Sequence, residues 1–231
     1  MHTLILIPAF GCDHRLYDEV AEALAPVIHP LVLVADRDSF SGCVEQILAS
    51  APERFTVLGT SFGGRCALEL TIAAPERVEG LVIIGSGAGP VADKAAGLRR
   101  STRLRAGEME NVLAEMGDMV SHLPGPNGPK ARDLFVSMGR DMGAERMARQ
   151  SDALAGRVDR KPHLKDIACP ALMLWGVHDK FSPAADGLAM SAAMPRGRYA
   201  EIEGCGHFPT LEFPQETAAI LQHWLANSGL I

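Results

Sequence analysis

One serine, one aspartate and one histidine stand at three strand-to-helix junctions of this 231-residue chain, in the order Ser61, Asp179, His207. Ser61 centres the stretch Gly59-Thr60-Ser61-Phe62-Gly63. The apolar run 55–58 precedes it, and residues 65–70, which read as a helix, follow. Strand, Gly-X-Ser-X-Gly and helix make a sharp turn that pushes the serine hydroxyl clear of the sheet. A side chain at either flanking glycine would collide across that turn, and the serine itself must accept a strained backbone. Asp179 closes Gly176-Val177-His178-Asp179, after the buried-strand run 171–175. His207 lies in Glu203-Gly204-Cys205-Gly206-His207-Phe208, after a short strand at 198–202.

These three residue types together do acyl-transfer chemistry. A free hydroxyl is a poor nucleophile near neutral pH, so Ser61 needs a base. His207 takes its proton and later delivers it to the leaving group. Asp179 holds the His207 ring in one tautomer, and losing such an acid typically costs ~10⁴ in turnover. The developing oxyanion needs backbone donors, and the amide of Phe62, at the positive end of the following helix, is the first.

Other titratable residues fit less well. His178 neighbours Asp179 but points away from it, and reads as structural or solvent-exposed. His14 follows the first strand's loop, either bordering the pocket or as an ordinary loop residue. His2, His29, His122, His163 and His223 match no junction, and Asp36 precedes Ser61 and so breaks the chain order. No histidine pair has ligand spacing and no loop cradles a phosphate, so neither metal nor cofactor is expected. Gly85-Ser86-Gly87-Ala88-Gly89 lacks the helix start a dinucleotide loop requires and reads as a hinge.

The elements that must position these groups alternate strand and helix, which implies a parallel sheet covered on both faces. Strands are predicted at 3–7, 31–35, 55–58, 78–84, 171–175 and 198–202, and helices at 17–24, 43–49, 63–73, 183–193 and 214–226. Their dense Val, Ile and Leu content suits strands buried on both faces. Residues 90–166 break the pattern: they are helical in character, without strand runs, and are divided by the loop Leu123-Pro124-Gly125-Pro126-Asn127-Gly128-Pro129. Four short helices are expected there, two on each side of that loop.

The Ser, Asp, His order and the glycine-flanked serine resemble the α/β-hydrolase fold, and among its members the small lidded carboxylesterases and pimeloyl-ester esterases. The resemblance covers essentially the whole chain. It implies a core of residues 1–89 and 167–231, with 90–166 inserted as a helical lid. The stretch from Arg149-Gln150 to Cys169-Pro170 resembles the return from lid to core in that group. Many relatives begin with an antiparallel hairpin that is missing here, so a trimmed sheet of about six strands, mostly or wholly parallel, is expected. In relatives the loop after the first strand often reads His-Gly-X-Gly. Here Pro8-Ala9-Phe10-Gly11 takes its place, and by position Phe10 supplies the second oxyanion amide. Losing one such donor typically costs ~10²–10³ in rate.

Bulk properties narrow the partners. A formal charge of −6 disfavours nucleic acid. Five scattered cysteines without Cys-X-X-Cys spacing point to a reducing compartment rather than a disulfide framework. Residues 3–7 are too short and lack the basic lead of a signal peptide, and no apolar run approaches a membrane span. A cytoplasmic protein is expected, monomeric or homodimeric, acting on a small-molecule ester.

Residues 92–166 hold 14 of the 22 Lys and Arg but 11 of the 28 Asp and Glu, so this segment is about +3 and the remainder about −9. Within it Arg99, Arg100, Arg103 and Arg105 are clustered. They form either a solvated helix face or a site where one turns inward to a substrate carboxylate. Six of the ten methionines also lie here (Met109, Met116, Met119, Met138, Met142, Met147), as helix-packing core or as an adaptable wall for an apolar group. Carboxylic-ester hydrolysis is the first reading. Carbon–carbon or amide hydrolysis with the same triad is the alternative, and a ligand-sensing protein on the same fold is a reading of another class.

Overall fold

The computed structural model describes Met1–Ile231. Six strands form one sheet: β1 (Thr3–Ile7), β2 (His29–Val32), β3 (Phe55–Thr60), β4 (Val78–Ile84), β5 (Ala171–Gly176) and β6 (Gly197–Ile202). Their order is β2-β1-β3-β4-β5-β6, and every neighbouring pair is parallel. β3 is buried at all six positions and β5 likewise, as continuous apolar runs require when helices cover both faces. The core helices are α1 (Asp18–Leu24), α2 (Phe40–Leu48) and α3 (Phe62–Ala73).

Between β4 and β5 the chain leaves the sheet for four helices: α4 (Lys94–Arg105), α5 (Met109–Val120), α6 (Gly128–Met142) and α7 (Ala144–Ala155). After β5 come α8 (Ala184–Ala193), the one-turn α9 (Pro209–Glu212) and α10 (Pro214–Asn227). None of these helices is long and apolar enough to cross a membrane.

Three strands run one or two residues beyond the sequence reading, β3 to Thr60, β5 to Gly176 and β6 from Gly197, and the largest difference is at β2, read as 31–35. β2 starts at His29, because pairing with β1 sets its limits rather than its apolar content: Thr3 faces His29 and Leu6 faces Val32. The amides of His29 and Leu33 both donate to β1, to His2 and Leu6 carbonyls at 2.9 and 3.0 Å. Pro30 therefore falls at a position whose missing N–H would face outward from this edge strand. Four helix starts also shift, those of α1, α3 and α8 by one residue and that of α2 by three. α2 begins at Phe40 because Ser39 caps it, its hydroxyl accepting the Gly42 amide at 3.2 Å. Pro183 caps α8 from outside instead of opening its first turn.

The crossover from β1 to β2 goes one way and the return to β3 goes the other. Loops that leave β1 and β3 therefore splay apart at the carboxyl edge of the sheet, where open α/β sheets place their ligand crevice. Both loops carry candidate site residues.

The stems of the helical insertion are tied to the core by one buried cation. Arg65, on α3, pairs with Glu69 at 2.8 Å and donates to the carbonyls of Ala88, Gly89 and Val158. Arg160 adds a second pair to Glu69 at 2.8 Å. Burial lowers the Arg65 pKa, partly offset by the adjoining Glu69 carboxylate.

Candidate active site

Ser61 sits between β3 and α3 with φ 54° and ψ −113°, the one residue other than glycine with positive φ. The turn leaves no room beside it. A Cβ on Gly59 would lie 2.0 Å from the Gly63 carbonyl oxygen, and one on Gly63 would lie 1.9 Å from that of Ile7. The strain is held from below: the Ser61 amide donates to Ile84 at 2.8 Å, and buried Tyr17 donates to Ile7 while sharing a 2.8 Å hydrogen bond with Thr60. Burial pushes the Tyr17 phenol far up, so it stays protonated as a fixed donor.

His207 Nδ1 donates to Asp179 Oδ2 at 2.7 Å, and both side chains are shielded from solvent at 3% and 1% exposure. The other Asp179 oxygen accepts the amides of Phe181 and Ser182 at 2.8 and 3.0 Å, fixing the carboxylate before it meets the imidazole. Ser61 and His207 line one cavity of about 470 Å³ together with Phe10 and Phe62. No hydrogen bond joins Ser61 Oγ to His207 within 3.5 Å; the two groups share the cavity wall. As the first residue of α3, Phe62 has no intrahelical acceptor for its amide, and the Phe10 amide donates to no protein group. The four sequence-predicted cavity residues thus converge, with Asp179 behind His207.

Three supporting residues escaped the sequence reading. Glu212, 1% exposed, accepts the amides of Gly206 and Phe208 on either side of His207, and that of His122 from the insertion, at 3.0, 3.3 and 2.8 Å. Burial raises its pKa, and the three amide bonds pull the other way. Gln150, on α7, accepts the Gly11 amide at 2.9 Å and donates to Ala35 at 2.8 Å, so the insertion holds the loop that carries Phe10. Gly85, which read as a hinge, has φ +58° and lies against the Asp179–His207 pair. No single-residue signal marks Glu212 or Gln150: Gln150 acts through backbone groups more than 100 residues away, and Glu212 joins two nearby amides to one 90 residues away.

The remaining candidates are placed elsewhere. His14 pairs with Asp18 at the surface and does not line the cavity. His178 stacks on His122, with ring centroids 4.0 Å apart. Asp36 meets Arg146 and Arg149. Of the six insertion methionines only Met116 lines the cavity; Met138, Met142 and Met147 are buried core, and Met119 is exposed. No group of three or more His, Cys, Asp or Glu is placed to hold a metal ion.

A parallel sheet with a helical insertion after β4, a strained serine after β3 and a buried acid–histidine pair define a hydrolase architecture. The model of the alpha/beta hydrolase family matches residues 4–220, and the chain belongs to that family. It is 28% identical to a pimeloyl-[acyl-carrier protein] methyl ester esterase of Nitrosomonas europaea, over 92% of this chain and 91% of that protein. It is 27% identical to a 2-hydroxy-6-oxononadienedioate/2-hydroxy-6-oxononatrienedioate hydrolase of Paraburkholderia xenovorans, over 76% of this chain and 63% of that protein. The structure superposes on a malate-bound thermophilic esterase of Thermogutta terrifontis with TM-score 0.90 at 20% identity, covering 99% and 90% of the two chains. At that identity the likeness speaks to the fold.

Proposed function

We propose that this protein is a serine hydrolase that cleaves small carboxylic esters through an acyl-enzyme. The observation that carries the reading is the meeting of Ser61, held at φ 54°, and His207, hydrogen-bonded to Asp179 at 2.7 Å, on one cavity wall. Ser61 Oγ attacks the acyl carbon and its proton passes to His207 Nε2. The carbonyl oxygen takes the negative charge against the amides of Phe10 and Phe62. Collapse expels the alcohol, which leaves with the proton from His207. Water then repeats the sequence: His207 takes its proton, its oxygen attacks the acyl carbon, and the acid departs as Ser61 regains a hydrogen. Throughout, Asp179 holds the imidazole and balances its transient positive charge. Residues 90–166 act as a lid that walls this cavity.

The test is a reactive fluorophosphonate, with the intact protein and its Ser61→Ala variant weighed afterwards. One adduct on the first alone supports an activated serine. No adduct moves a ligand-binding role ahead of catalysis. Carbon–carbon hydrolysis is the second reading, favoured by the similarity to the 2-hydroxy-6-oxononadienedioate hydrolase. A panel of simple esters and of vinylogous 1,5-diketones separates the two by which is turned over.

A further inference from the structure

Ten arginines lie between residues 90 and 166. Eight of them hold a carboxylate within 4.0 Å: Arg99, Arg103, Arg105, Arg132, Arg140, Arg146, Arg149 and Arg160. The two that do not, Arg100 and Arg157, are the two that line the cavity containing Ser61 and His207.

Arg100 spends only Nε on the protein, donating to Ser151 Oγ at 2.8 Å. Its guanidinium lies over the ring of Phe10, 4.8 Å from the centroid, so the flat cation rests on the side chain of the residue whose amide is assigned to the oxyanion. Both terminal nitrogens remain without an acceptor. Arg157 donates one bond, to Pro90 at 3.1 Å, and its Nε is buried with no partner. Burial lowers the pKa of both; at Arg100 no carboxylate opposes it, and at Arg157 the charge of Asp186, beyond ion-pair distance, offsets it only in part. Lys161 adds a third positive charge to the lining, and the exposed carboxylate of Asp186 is its one negative charge. An unsatisfied, half-buried guanidinium is costly, and elsewhere in the insertion every one is paired. A planar anion is the partner that a guanidinium fork accommodates best.

We propose that Arg100, together with Arg157, docks a carboxylate carried on the acyl part of the substrate, which makes half-esters of dicarboxylic acids the preferred class. The inference rests on the ester-hydrolase reading above. An acyl chain bound at Ser61 and laid along the Phe10 ring ends at the Arg100 fork. The docked carboxylate takes no part in bond exchange: water enters, the alcohol leaves, and the product is the dicarboxylate.

Calorimetry on the Ser61→Ala protein tests the pocket without requiring turnover. Monomethyl adipate, charged at one end, is compared with dimethyl adipate. The expected result is binding of the monoester at least about 10-fold tighter, with the preference collapsing when Arg100→Gln is added and only partly surviving in Arg100→Lys, which keeps charge but loses the fork. Equal binding of the two esters overturns the proposal, as does a preference that persists in Arg100→Gln. Circular dichroism checks each fold; should Arg100→Gln not fold, Arg157→Gln carries the same comparison with the same outcomes. Hydrolysis of both esters by the unmodified protein is measured alongside. Failure to hydrolyse either, with the binding preference intact, removes the hydrolase reading and leaves the carboxylate pocket standing.

Discussion

Glu212 Oε2 accepts the amide hydrogen of Gly206 at 3.0 Å, one residue before His207. Its other oxygen takes Phe208, one residue after. The imidazole is therefore aimed by a carboxylate that never touches it, and the same carboxylate reaches His122 at the end of α5. Glu212→Gln keeps the shape but turns an amide NH₂ toward a backbone donor. A fall in kcat of about 10-fold with little change in KM is expected, since the bond lost fixes geometry rather than substrate. Glu212→Ala should also lower stability by roughly 2–3 kcal/mol, because buried amides lose their acceptor. Steady-state kinetics and urea unfolding of the two variants separate these effects. Unchanged kcat in both would show that the loop holds His207 without help.

Gly85 gives a sharper geometric test. A Cβ there would stand 2.9 Å from both Asp179 Oδ2 and His207 Nδ1. Gly85→Ala should cost ~1–2 kcal/mol for its left-handed backbone, as any such site does. It should in addition displace the acid–histidine pair and lower kcat by about 100-fold or more. Gly107→Ala is the control: its φ is +87° and its added Cβ would meet nothing within 4 Å. The control pays the backbone strain alone and retains activity. Equal activity in the two variants would show that the pair has room to move.

Much of this arrangement was legible in the chain because it is local. Ser61, Asp179 and His207 each follow a strand run, and a turn with a glycine on either side of the serine can be read from residue types. The Val-, Ile- and Leu-rich strands announced a sheet buried on both faces. β2 was misplaced because its limits come from pairing with β1 across 26 residues of chain, from Thr3 to His29, and its apolar stretch extends past the last pair. Glu212, Gln150 and Arg157 were illegible for a related reason, and Arg100 was legible only as one of four clustered arginines. Nothing in a single residue's type shows that it has, or lacks, a partner more than 80 residues away, as Glu212 has in His122 across 90.

Gln150 bears on the opposite side of the site. It is 1% exposed and bridges Gly11 to Ala35 from α7. Gln150→Leu keeps the volume roughly but leaves a buried amide and a buried carbonyl unpaired, a loss of about 2 kcal/mol or more. Gly11 follows Phe10, so a loosened loop misplaces the second oxyanion donor. A kcat loss of about 10-fold is expected, below the ~10²–10³ of outright donor removal. Thermal unfolding and ester kinetics on one preparation measure both. A destabilised variant of full kcat would mean that Phe10 is held by the β1 strand end alone.

The stacked imidazoles of His122 and His178 are expected to make the fold sensitive to acid. Their centroids are 4.0 Å apart and their planes differ by 13°. Burial first, then His178 and Lys180, holds the His122 pKa below its ordinary 6.5, while the Glu212 carboxylate takes only its backbone amide. The folded protein thus binds this proton less readily than the unfolded chain does. Its stabilising contribution is complete above about pH 6.5 and is lost as pH falls through the lowered folded value. His122→Phe keeps an aromatic face for His178 and removes the titration. Between roughly pH 7.5 and 5.5 the unmodified protein should lose more in Tm than His122→Phe does, and His178→Phe should fall between the two, because burial, the larger cause of the His122 shift, remains. The measurement is Tm against pH for all three. Parallel curves would place the acid sensitivity outside this stack.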